Sequence, residues 1–287
     1  MSDKPVLALD VGGSSVKSVL VARGQRILGS VRVDAIHSQA SADQILNTLA
    51  VIIKSYLQNI GGVCRIAFAF PGPFDYEQGL SLIQNQDKYD SLYGLYVGAK
   101  LREILGIPAL EMRFRNDADA AILGEALYGA GAAYSRLLGL TLGTGLGSAF
   151  VAEGNLIAEG DNVPPHGWLY SCMFKNQRAD DLFSTRGLLA RLHKRGIDAI
   201  DIVSVFQAAD EDRAVLAEAF ASFGADLGSF LKPFVSTFQA DAVLVTGGIA
   251  EAWDVFAPSL SHTLSVPVRK GTLGRRAALL GAACLYF

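Results

Sequence analysis

The sequence predicts an α/β fold made of two related domains with a central cleft, and three observations support this. Residues 7–29 (LALDVGGSSVKSVLVARGQRILG) and 138–160 (LGLTLGTGLGSAFVAEGNLIAEG) form an internal repeat in which Gly12 aligns with Gly143. Each copy precedes the same series of apolar strand and helix patterns, which is typical of a duplicated α/β domain. Of the 287 residues, 51% are hydrophobic and 18% are charged, enough to build two buried cores.

The first half begins with the two strands of the repeat, joined by a glycine turn, and a third strand at Arg26–Val33. Apolar residues at helical spacing predict a helix that begins near Ser41 and ends at Gly61-Gly62. The later apolar runs and loop signals predict a strand at Arg65–Phe70, a loop at Pro71-Gly72-Pro73, an irregular stretch at 74–93, a helix at Leu95–Leu105, a strand at Ala109–Arg115 and a helix at Asp117–Tyr128.

The second half repeats this scheme. The predicted elements are three strands within 137–159, a loop at 161–178, helices near 180–194 and 210–238, a strand at Ala242–Thr246, a helix from about 249 and a last helix at Gly274–Tyr286. We therefore expect domains at 1–117 and 118–287, with the final helix (about 274–286) packing back on the N-terminal domain.

Composition excludes several classes of protein. The net charge of −3 lacks the basic footprint of a nucleic-acid-binding protein. No apolar run approaches the roughly 20 residues of a membrane span, and the N-terminal segment MSDKPVLALD is unlike a secretion signal. The three cysteines, Cys64, Cys172 and Cys284, are widely spaced, which favours reduced thiols in a cytoplasmic protein.

The first glycine turn, Gly12-Gly13-Ser14, is predicted to bind phosphate. Glycine permits a positive φ and a close approach of the backbone to a ligand, and successive N–H groups then surround phosphate oxygens. Asp10, at the end of the preceding strand, could orient Mg²⁺ directly or through water, and Lys17 could reach the phosphate. The alternative interpretation is an ordinary hairpin closed by an aspartate.

The second turn, Gly143-Thr144-Gly145, makes the phosphate interpretation stronger because two such turns suggest one polyphosphate held by two similar domains. The run GTGLG also resembles a dinucleotide fingerprint. That motif requires a helix directly after the glycines, whereas Ser148–Ala152 has the pattern of a strand.

The strand-to-helix corner at Asn116-Asp117 is a candidate catalytic site. A carboxylate here could accept the proton of an attacking hydroxyl, and Asn116 could bind neighbouring hydroxyls. The same pair is also suited to capping the helix, and the two roles are compatible. Gly247-Gly248 would allow close approach of a nucleoside, and His166 lies in a loop where it either lines a pocket or packs the loop.

In order and spacing, these motifs resemble the ROK family of sugar kinases and repressors, within the actin/hexokinase/heat-shock-ATPase superfamily. The matching segments are LALDVGGSSVKSVLV, FAFPGP, DSLYGLYVGAKL, FRNDADAAILGE, LTLGTGLGSAFV and VTGGIA. The resemblance implies two actin-like ATPase domains of ribonuclease H-like fold, ATP with Mg²⁺, and transfer of the γ-phosphoryl group to a hexose hydroxyl, as in glucokinases. It also implies a cytoplasmic homodimer.

The resemblance assigns roles to residues. Asp117 becomes the general base, and the sugar site includes Asn116, Asp117, Gly72 and His166. Asp180 replaces a later sugar-binding glutamate of the family. The two hairpins bind the phosphates, and Gly247-Gly248 contacts the adenosine.

The loop after the second hairpin departs from the family pattern. Pro165 and Trp168 stand where most members have the Glu and His of a Glu-x-Gly-His sugar motif, and Cys172 stands alone where members have a cysteine-rich zinc loop. We therefore expect no zinc. With no winged-helix segment before the first hairpin, we do not expect a DNA-binding repressor. The alternatives are a non-catalytic sugar- or nucleotide-binding regulator, or a kinase that uses polyphosphate or a non-hexose acceptor.

Overall fold

The computed structural model of the chain describes residues 4–24, 26–59, 65–198, 205 and 213–287. The chain divides into two compact units, one formed by Met1–Gly124 with Arg275–Phe287 and the other by Glu125–Gly274. The proposed domain boundary after residue 117 stays a prediction. Each unit is built around its own five-stranded sheet and its own apolar core.

The first unit is an α/β layer structure. Its elements are β1 (Val6–Val11), β2 (Ser15–Ala22), β3 (Arg26–Ala35), α1 (Ala42–Asn59), β4 (Arg65–Phe70), β5 (Phe74–Asp75), β6 (Leu80–Ser81), α2 (Val97–Leu105), β7 (Glu111–Asn116) and the start of α3 (Asp117–Tyr128). The sheet order is β3-β2-β1-β4-β7, with β1, β2 and β3 antiparallel and β1, β4 and β7 parallel.

Burial explains why these segments form a sheet covered on its faces. Five of the six residues in β1 are buried, as are five of the six in β4, which is the pattern of strands covered on both sides. Helix α1 adds Ile45, Leu49 and Ile53 to the same core. On the other side, the last helix of the chain, α8 (Ala277–Ala283), contacts β1 and β4 and is entirely buried.

The second unit has the same sheet order. Its elements are β8 (Arg136–Leu142), β9 (Leu146–Ala152), β10 (Asn155–Ile157), β11 (Met173–Phe174), β12 (Gln177–Arg178), α4 (Ala179–Phe183), α5 (Thr185–His193), α6 (Arg213–Phe238), β13 (Ala242–Thr246), α7 (Trp253–Thr263) and β14 (Val268–Lys270). The sheet runs β10-β9-β8-β13-β14, with β8, β9 and β10 antiparallel and β8, β13 and β14 parallel.

Most predicted elements are confirmed within two or three residues. The exceptions are at 180–194, where Ser184 separates two helices, and after Thr246, where a 3₁₀ turn at Gly248–Ala252 precedes α7. A 3₁₀ turn at Gly274–Arg276 precedes the last helix, so α8 is shorter than predicted. The short strands β5, β6, β11, β12 and β14 were not predicted, and Gly61-Gly62 lies outside the described residues.

Helix α6 is long and apolar enough to cross a bilayer by length and composition alone, with a mean hydropathy of 1.3 over its most apolar window. One such helix is weak support for a membrane span, because core helices pass the same test. In this unit α6 buries ten side chains or glycines and packs along α7, where Gly224 faces the backbone of Phe256. Its apolar character is explained by core packing.

Candidate functional site

The carboxyl ends of the three parallel strands of the first unit bring several predicted site residues to one edge of its sheet. Asp10 in β1 pairs with Ala69 in β4, and Phe70 at the end of β4 pairs with Asn116 at the end of β7. Ligands of open α/β sheets bind outside the carboxyl ends of parallel strands. The structure therefore places Asp10, Gly72 and Asn116-Asp117 where ligand binding is expected.

The first glycine turn is a tight hairpin between β1 and β2. The Gly12 N–H donates to the Ser15 carbonyl at 2.9 Å. Neither Gly12 nor Gly13 has a positive φ, so that part of the predicted reason for glycine is wrong. The other part, room for a close approach, agrees with Gly13, because nothing lies within 4 Å of where its Cβ would stand. Gly13 and Ser14 are exposed, which leaves the backbone N–H groups open to an anion.

Asp10 and Lys17 form an ion pair across β1 and β2. Their Cα atoms are paired in the register, and the Lys17 Nζ lies 2.6 Å from Asp10 Oδ2. Asp10 lies one residue before the end of β1, with a side chain only 13% exposed. To bind phosphate as predicted, the Lys17 ammonium group would have to interact with the phosphate and with the Asp10 carboxylate at the same time.

At the corner between β7 and α3, the helix cap is Asn116 and not Asp117. The Asn116 Oδ1 accepts hydrogen bonds from the N–H groups of Ala118 (3.0 Å) and Asp119 (3.2 Å), which have no backbone acceptor at a helix start. Its Nδ2 donates to the Tyr76 hydroxyl at 2.9 Å. The Gly72 Cβ position is 2.9 Å from the same hydroxyl, so Gly72, Tyr76 and Asn116 form one cluster.

Asp117 is the first helical residue, and the Ala118 N–H donates to its Oδ1 at 2.9 Å. Burial raises the pKa of Asp117 above that of an ordinary carboxyl group, and the nearby negative charge of Asp10 raises it further. The positive charge of Lys88 and the Ala118 hydrogen bond oppose this rise. A carboxylate with a raised pKa beside the phosphate-type turn is suited to accepting a proton.

A second carboxyl group, that of Asp119, lies two residues further along α3. Burial raises the pKa of Asp119 to about 7, and the adjacent negative charge of Asp117 adds to the rise. Arg115 acts in the opposite direction, and its guanidinium also donates to the Gly281 carbonyl at 2.7 Å. The two carboxyl groups are therefore electrostatically linked.

Three side chains of this region were not identified from the sequence: Tyr76, Lys88 and Tyr89. Tyr89 is fully buried, and its hydroxyl donates to the Gly12 carbonyl at 2.6 Å, across 77 residues of sequence. Lys88 acts on Asp117 through its charge. All three lie in the stretch predicted as irregular, where no periodicity marks one residue over another.

The second glycine turn connects β8 and β9 and is one residue shorter than the first. The Gly143 N–H donates to the Gly145 carbonyl at 3.1 Å, and neither glycine has a positive φ. The Gly143 carbonyl accepts hydrogen bonds from the Thr185 N–H (2.7 Å) and hydroxyl (2.9 Å) at the start of α5. Thr144, at the tip, is exposed.

Asp180 lies beside this turn. Its Oδ1 accepts the Leu146 N–H at 2.7 Å and would be 3.1 Å from a Cβ on Gly145. Its Oδ2 is 3.0 Å from Arg186. Both oxygens of the predicted sugar-binding carboxylate therefore have partners within the second unit.

The two glycines after β13 differ in their surroundings. Gly247 has a φ of 98°. A Cβ at this position would collide with the Leu142 carbonyl at the end of β8, so no other residue fits there. Gly248 has nothing within 4 Å of its Cβ position and is exposed. The structure thus brings Gly247-Gly248 next to the Gly143 turn, and Gly248 leaves room for a ligand.

His166 lies in a loop held by Ser148. The Ser148 hydroxyl donates to the Gly167 carbonyl and accepts the Leu169 N–H, each at 2.8 Å. His166 is exposed and contacts the Trp168 ring, with the centroids 4.6 Å apart. Within the described ranges, no group of three or more His, Cys, Asp or Glu side chains could hold a metal ion, and Cys64 falls outside those ranges.

Comparison with known proteins identifies the family. The sequence profile of the ROK family matches residues 6–286. N-acetyl-D-glucosamine kinase of Haemophilus influenzae is 24% identical over an alignment that covers 97% of this chain and 98% of the relative. Glucokinase of Thermotoga maritima is 23% identical, covering 98% and 96%.

The fold agrees with this assignment. A ROK family glucokinase of Streptomyces griseus, solved with glucose and AMPPNP, has a TM-score of 0.77 at 21% identity and covers 98% of this chain and 99% of that chain. The predicted actin-like α/β fold is therefore confirmed. On the match over nearly its whole length, the chain belongs to the ROK family.

Proposed function

We propose that this sugar kinase of the ROK family uses ATP to phosphorylate a hexose hydroxyl, with Asp117 as the general base. The observation that supports this proposal is the placement of a partly buried carboxyl group of raised pKa at the sheet edge that also carries the first glycine turn. Phosphoryl transfer depends mostly on positioning and electrostatics, so few reactive groups are needed.

The surroundings of Asp117 support this proposed role. The Ala118 N–H fixes one carboxylate oxygen, and the other oxygen can accept the proton of the attacking hydroxyl. A raised pKa makes the carboxylate a better proton acceptor than an exposed aspartate. The positive charge of Lys88 opposes the rise of this pKa and so favours the ionised carboxylate.

The phosphates of ATP would bind at the glycine turns. Gly12, Gly13 and Ser14 form the first turn, Gly143, Thr144 and Gly145 form the second, and Gly248 leaves room beside the second for the adenosine. Open space at the Cβ positions of Gly13 and Gly143 fits this use. Asp10 is suited to hold Mg²⁺, since its Oδ1 faces no acceptor or donor among the described residues. When bound, Mg²⁺ would neutralise negative charge on the phosphates.

The sugar would be bound by groups near Asp117. Asn116 keeps one amide hydrogen free of the Tyr76 bond, and Gly72 lies beside it, with the Asn116 Nδ2 3.6 Å from the Gly72 Cβ position. We assign His166 to the sugar site as well. Asp180 would have to give up the Arg186 ion pair to bind a hydroxyl. We also propose a cytoplasmic location, a homodimer, and the domain boundary after residue 117.

A coupled ADP-release assay over a panel of hexoses, N-acetylhexosamines and non-hexose acceptors tests the proposal, with ATP and polyphosphate as separate donors. We expect turnover with ATP and at least one hexose. Asp117→Asn should lower kcat by roughly 100-fold or more, because the amide cannot accept the proton. Asp43→Asn, an exposed carboxylate at the start of α1, is the matched control and should keep full activity.

The outcomes separate the alternatives. Turnover with polyphosphate alone, or with a non-hexose acceptor alone, would identify a different kinase. Sugar or nucleotide binding without turnover would identify a regulator. Normal turnover by a folded Asp117→Asn protein would exclude this residue as the base.

A further inference from the structure

The first glycine of each turn has its carbonyl held by a side chain from a distant part of the same unit. In the first unit the Tyr89 hydroxyl donates to the Gly12 carbonyl at 2.6 Å. In the second unit the Thr185 hydroxyl and N–H donate to the Gly143 carbonyl at 2.9 Å and 2.7 Å. Gly12 and Gly143 are the positions that align in the repeat, so two unrelated side chains donate to equivalent carbonyl oxygens.

Holding these carbonyls determines where the next N–H group points. A trans peptide group is planar, so the carbonyl of one residue and the N–H of the next point in opposite directions. A carbonyl directed at a hydroxyl group of its own unit therefore turns the following N–H away from that hydroxyl. The two N–H groups concerned belong to Gly13 and Thr144, and both residues are exposed.

These N–H groups are available to a ligand. Neither the Gly13 N–H nor the Thr144 N–H donates to any acceptor in the part of the chain that the structure describes. Nothing lies within 4 Å of the Gly13 Cβ position, so an anion can approach that turn without meeting protein atoms. Oriented, unpaired N–H groups of this kind are the donors that bind phosphate oxygens.

Tyr89 is itself rigidly held, which allows it to fix the turn. It is fully buried, its N–H donates to the Ser38 carbonyl at 2.6 Å, and its ring contacts Phe70 with centroids 5.8 Å apart. Its φ of 59° is left-handed, which is unusual for a bulky residue. Burial and the Asp10 charge raise the pKa of the Tyr89 hydroxyl, so it stays protonated as a donor.

We propose that Tyr89 and Thr185 are positioning residues that aim the N–H groups of Gly13 and Thr144 at the phosphates of ATP. This inference rests on the proposed nucleotide site at the two turns. The physical benefit is preorganisation, because an N–H group already oriented loses no freedom when phosphate binds. Both residues act through the turns, and neither is assigned a contact with the reacting atoms.

Tyr89→Phe tests the first turn because it removes only the hydroxyl. We expect KM for ATP and the Kd for Mg-AMPPNP, measured by calorimetry, to rise roughly three-fold to ten-fold, as for loss of one buried hydrogen bond. KM for the sugar should change by less than about two-fold, since the proposed sugar site does not include the turn. A merely structural role would not separate the two substrates.

Tyr56→Phe is the matched control. The Tyr56 hydroxyl lies 3.0 Å from the Ser18 hydroxyl in the same unit, so the variant removes the same group without touching the turn. We expect its ATP constants to match those of the wild type. For the second turn, Thr185→Val should weaken Mg-AMPPNP binding and Thr185→Ser should restore it.

The outcomes are distinguishable from those that test the kinase activity itself. Unchanged nucleotide affinity in folded Tyr89→Phe, or equal effects on ATP and sugar, would overturn the inference for the first turn. If Tyr89→Phe fails to fold, the comparison of Thr185→Val with Thr185→Ser decides, and equal affinities would overturn it. Wild-type protein that binds Mg-AMPPNP but phosphorylates nothing would refute the proposed function, while the binding data would still decide the inference.

Discussion

Asp117 is the residue whose protonation state decides whether the proposed reaction can proceed. A general base acts only when deprotonated, so kcat/KM should fall as the pH decreases through the pKa of Asp117. Because burial raises that pKa, the acid limb should lie at a higher pH than for an ordinary aspartate. The charged groups that act on Asp117 are Asp10, Lys88 and the linked carboxyl group of Asp119.

Lys88→Met should move the acid limb of kcat/KM to still higher pH. The Lys88 charge favours the ionised form of Asp117, and its removal leaves burial and Asp10 unopposed apart from the Ala118 hydrogen bond. The measurement is kcat/KM for the sugar as a function of pH, at saturating ATP.

Lys100→Met is the matched control for that variant. Lys100 forms an exposed ion pair with Glu103 at 3.0 Å on α2 and is assigned no part in the site. Its acid limb should coincide with that of the wild type. A Lys88→Met profile that stays in place, or moves to lower pH, would show that Lys88 does not act on the base.

Some of these residue roles could be predicted from sequence and others could not. The pattern FRNDADAA places Asn116 and Asp117 at a strand-to-helix corner, and the structure agrees. It does not reveal which of the two caps the helix, because both side chains suit a cap. Tyr89 could not be predicted, since its partner Gly12 is 77 residues away and only the folded chain brings them together.

At the scale of elements, α3 and α8 pack through glycines that leave no room for a side chain. A Cβ on Gly281 would collide with the Ala120 carbonyl, and a Cβ on Gly124 would collide with the Ala277 carbonyl. The close approach of the two helices within the first unit depends on these glycines.

Gly281→Ala should therefore lower the free energy of unfolding by roughly 1 to 3 kcal/mol, the usual cost of overpacking, even though alanine favours helix. Urea denaturation measures the effect. Gly98→Ala in α2 is the milder comparison, because its added methyl would meet only side-chain atoms, the nearest being the Phe114 ring at 3.3 Å. Equal losses in the two variants would contradict the packing argument.

The elements themselves were predictable where a pattern was long or sharply bounded. Strand β4, which ends directly before Pro71, and β13, bounded by Asp241 and Gly247, occur where predicted. Strand β14 was missed because it has three residues and only Val268 is buried, so no alternation is visible. Its position is set by pairing with β13, which sequence periodicity cannot show.

At the scale of the whole molecule, a buried carboxylate joins segments that are far apart in the sequence of the second unit. Glu125 is fully buried, its Oε1 accepts the Leu273 N–H at 2.6 Å, and its Oε2 accepts the Ala130 N–H at 3.1 Å. Both carboxylate oxygens therefore accept hydrogen bonds from backbone N–H groups. A side-chain group that donates a hydrogen bond would not fit in place of either oxygen.

Glu125→Gln should lower the free energy of unfolding by roughly 1 to 3 kcal/mol, because its NH₂ group would face one of the two N–H donors. Chemical denaturation of the full chain gives the value. Glu103→Gln, at a side chain 71% exposed, should change it by less than roughly 0.5 kcal/mol. A Glu125→Gln protein as stable as Glu103→Gln would show that water replaces the lost acceptor.

The internal repeat predicted two related domains, and the two sheets have equivalent strand orders. The repeat could not predict the partners of Asp180, since the Arg186 ion pair and the Leu146 hydrogen bond depend on how the loop at 161–178 folds. That loop has no repeated counterpart and no regular pattern, so its side-chain contacts could not be predicted from the sequence.

The shared strand order also reveals a division of labour between the two halves. When Gly12 is placed on Gly143, the position of Asp10 in β1 is taken by Thr141 in β8, and Lys17 is replaced opposite it by Gly147. At the third parallel strand, Asn116 ends β7 and Asp117 follows it, whereas Lys270 ends β14 and Gly271 follows it. Both copies keep a turn with an open N–H group, while the carboxylates at these positions occur only in the first copy. A protein assembled from two copies of the latter half would keep both turns but possess no carboxylate at these places.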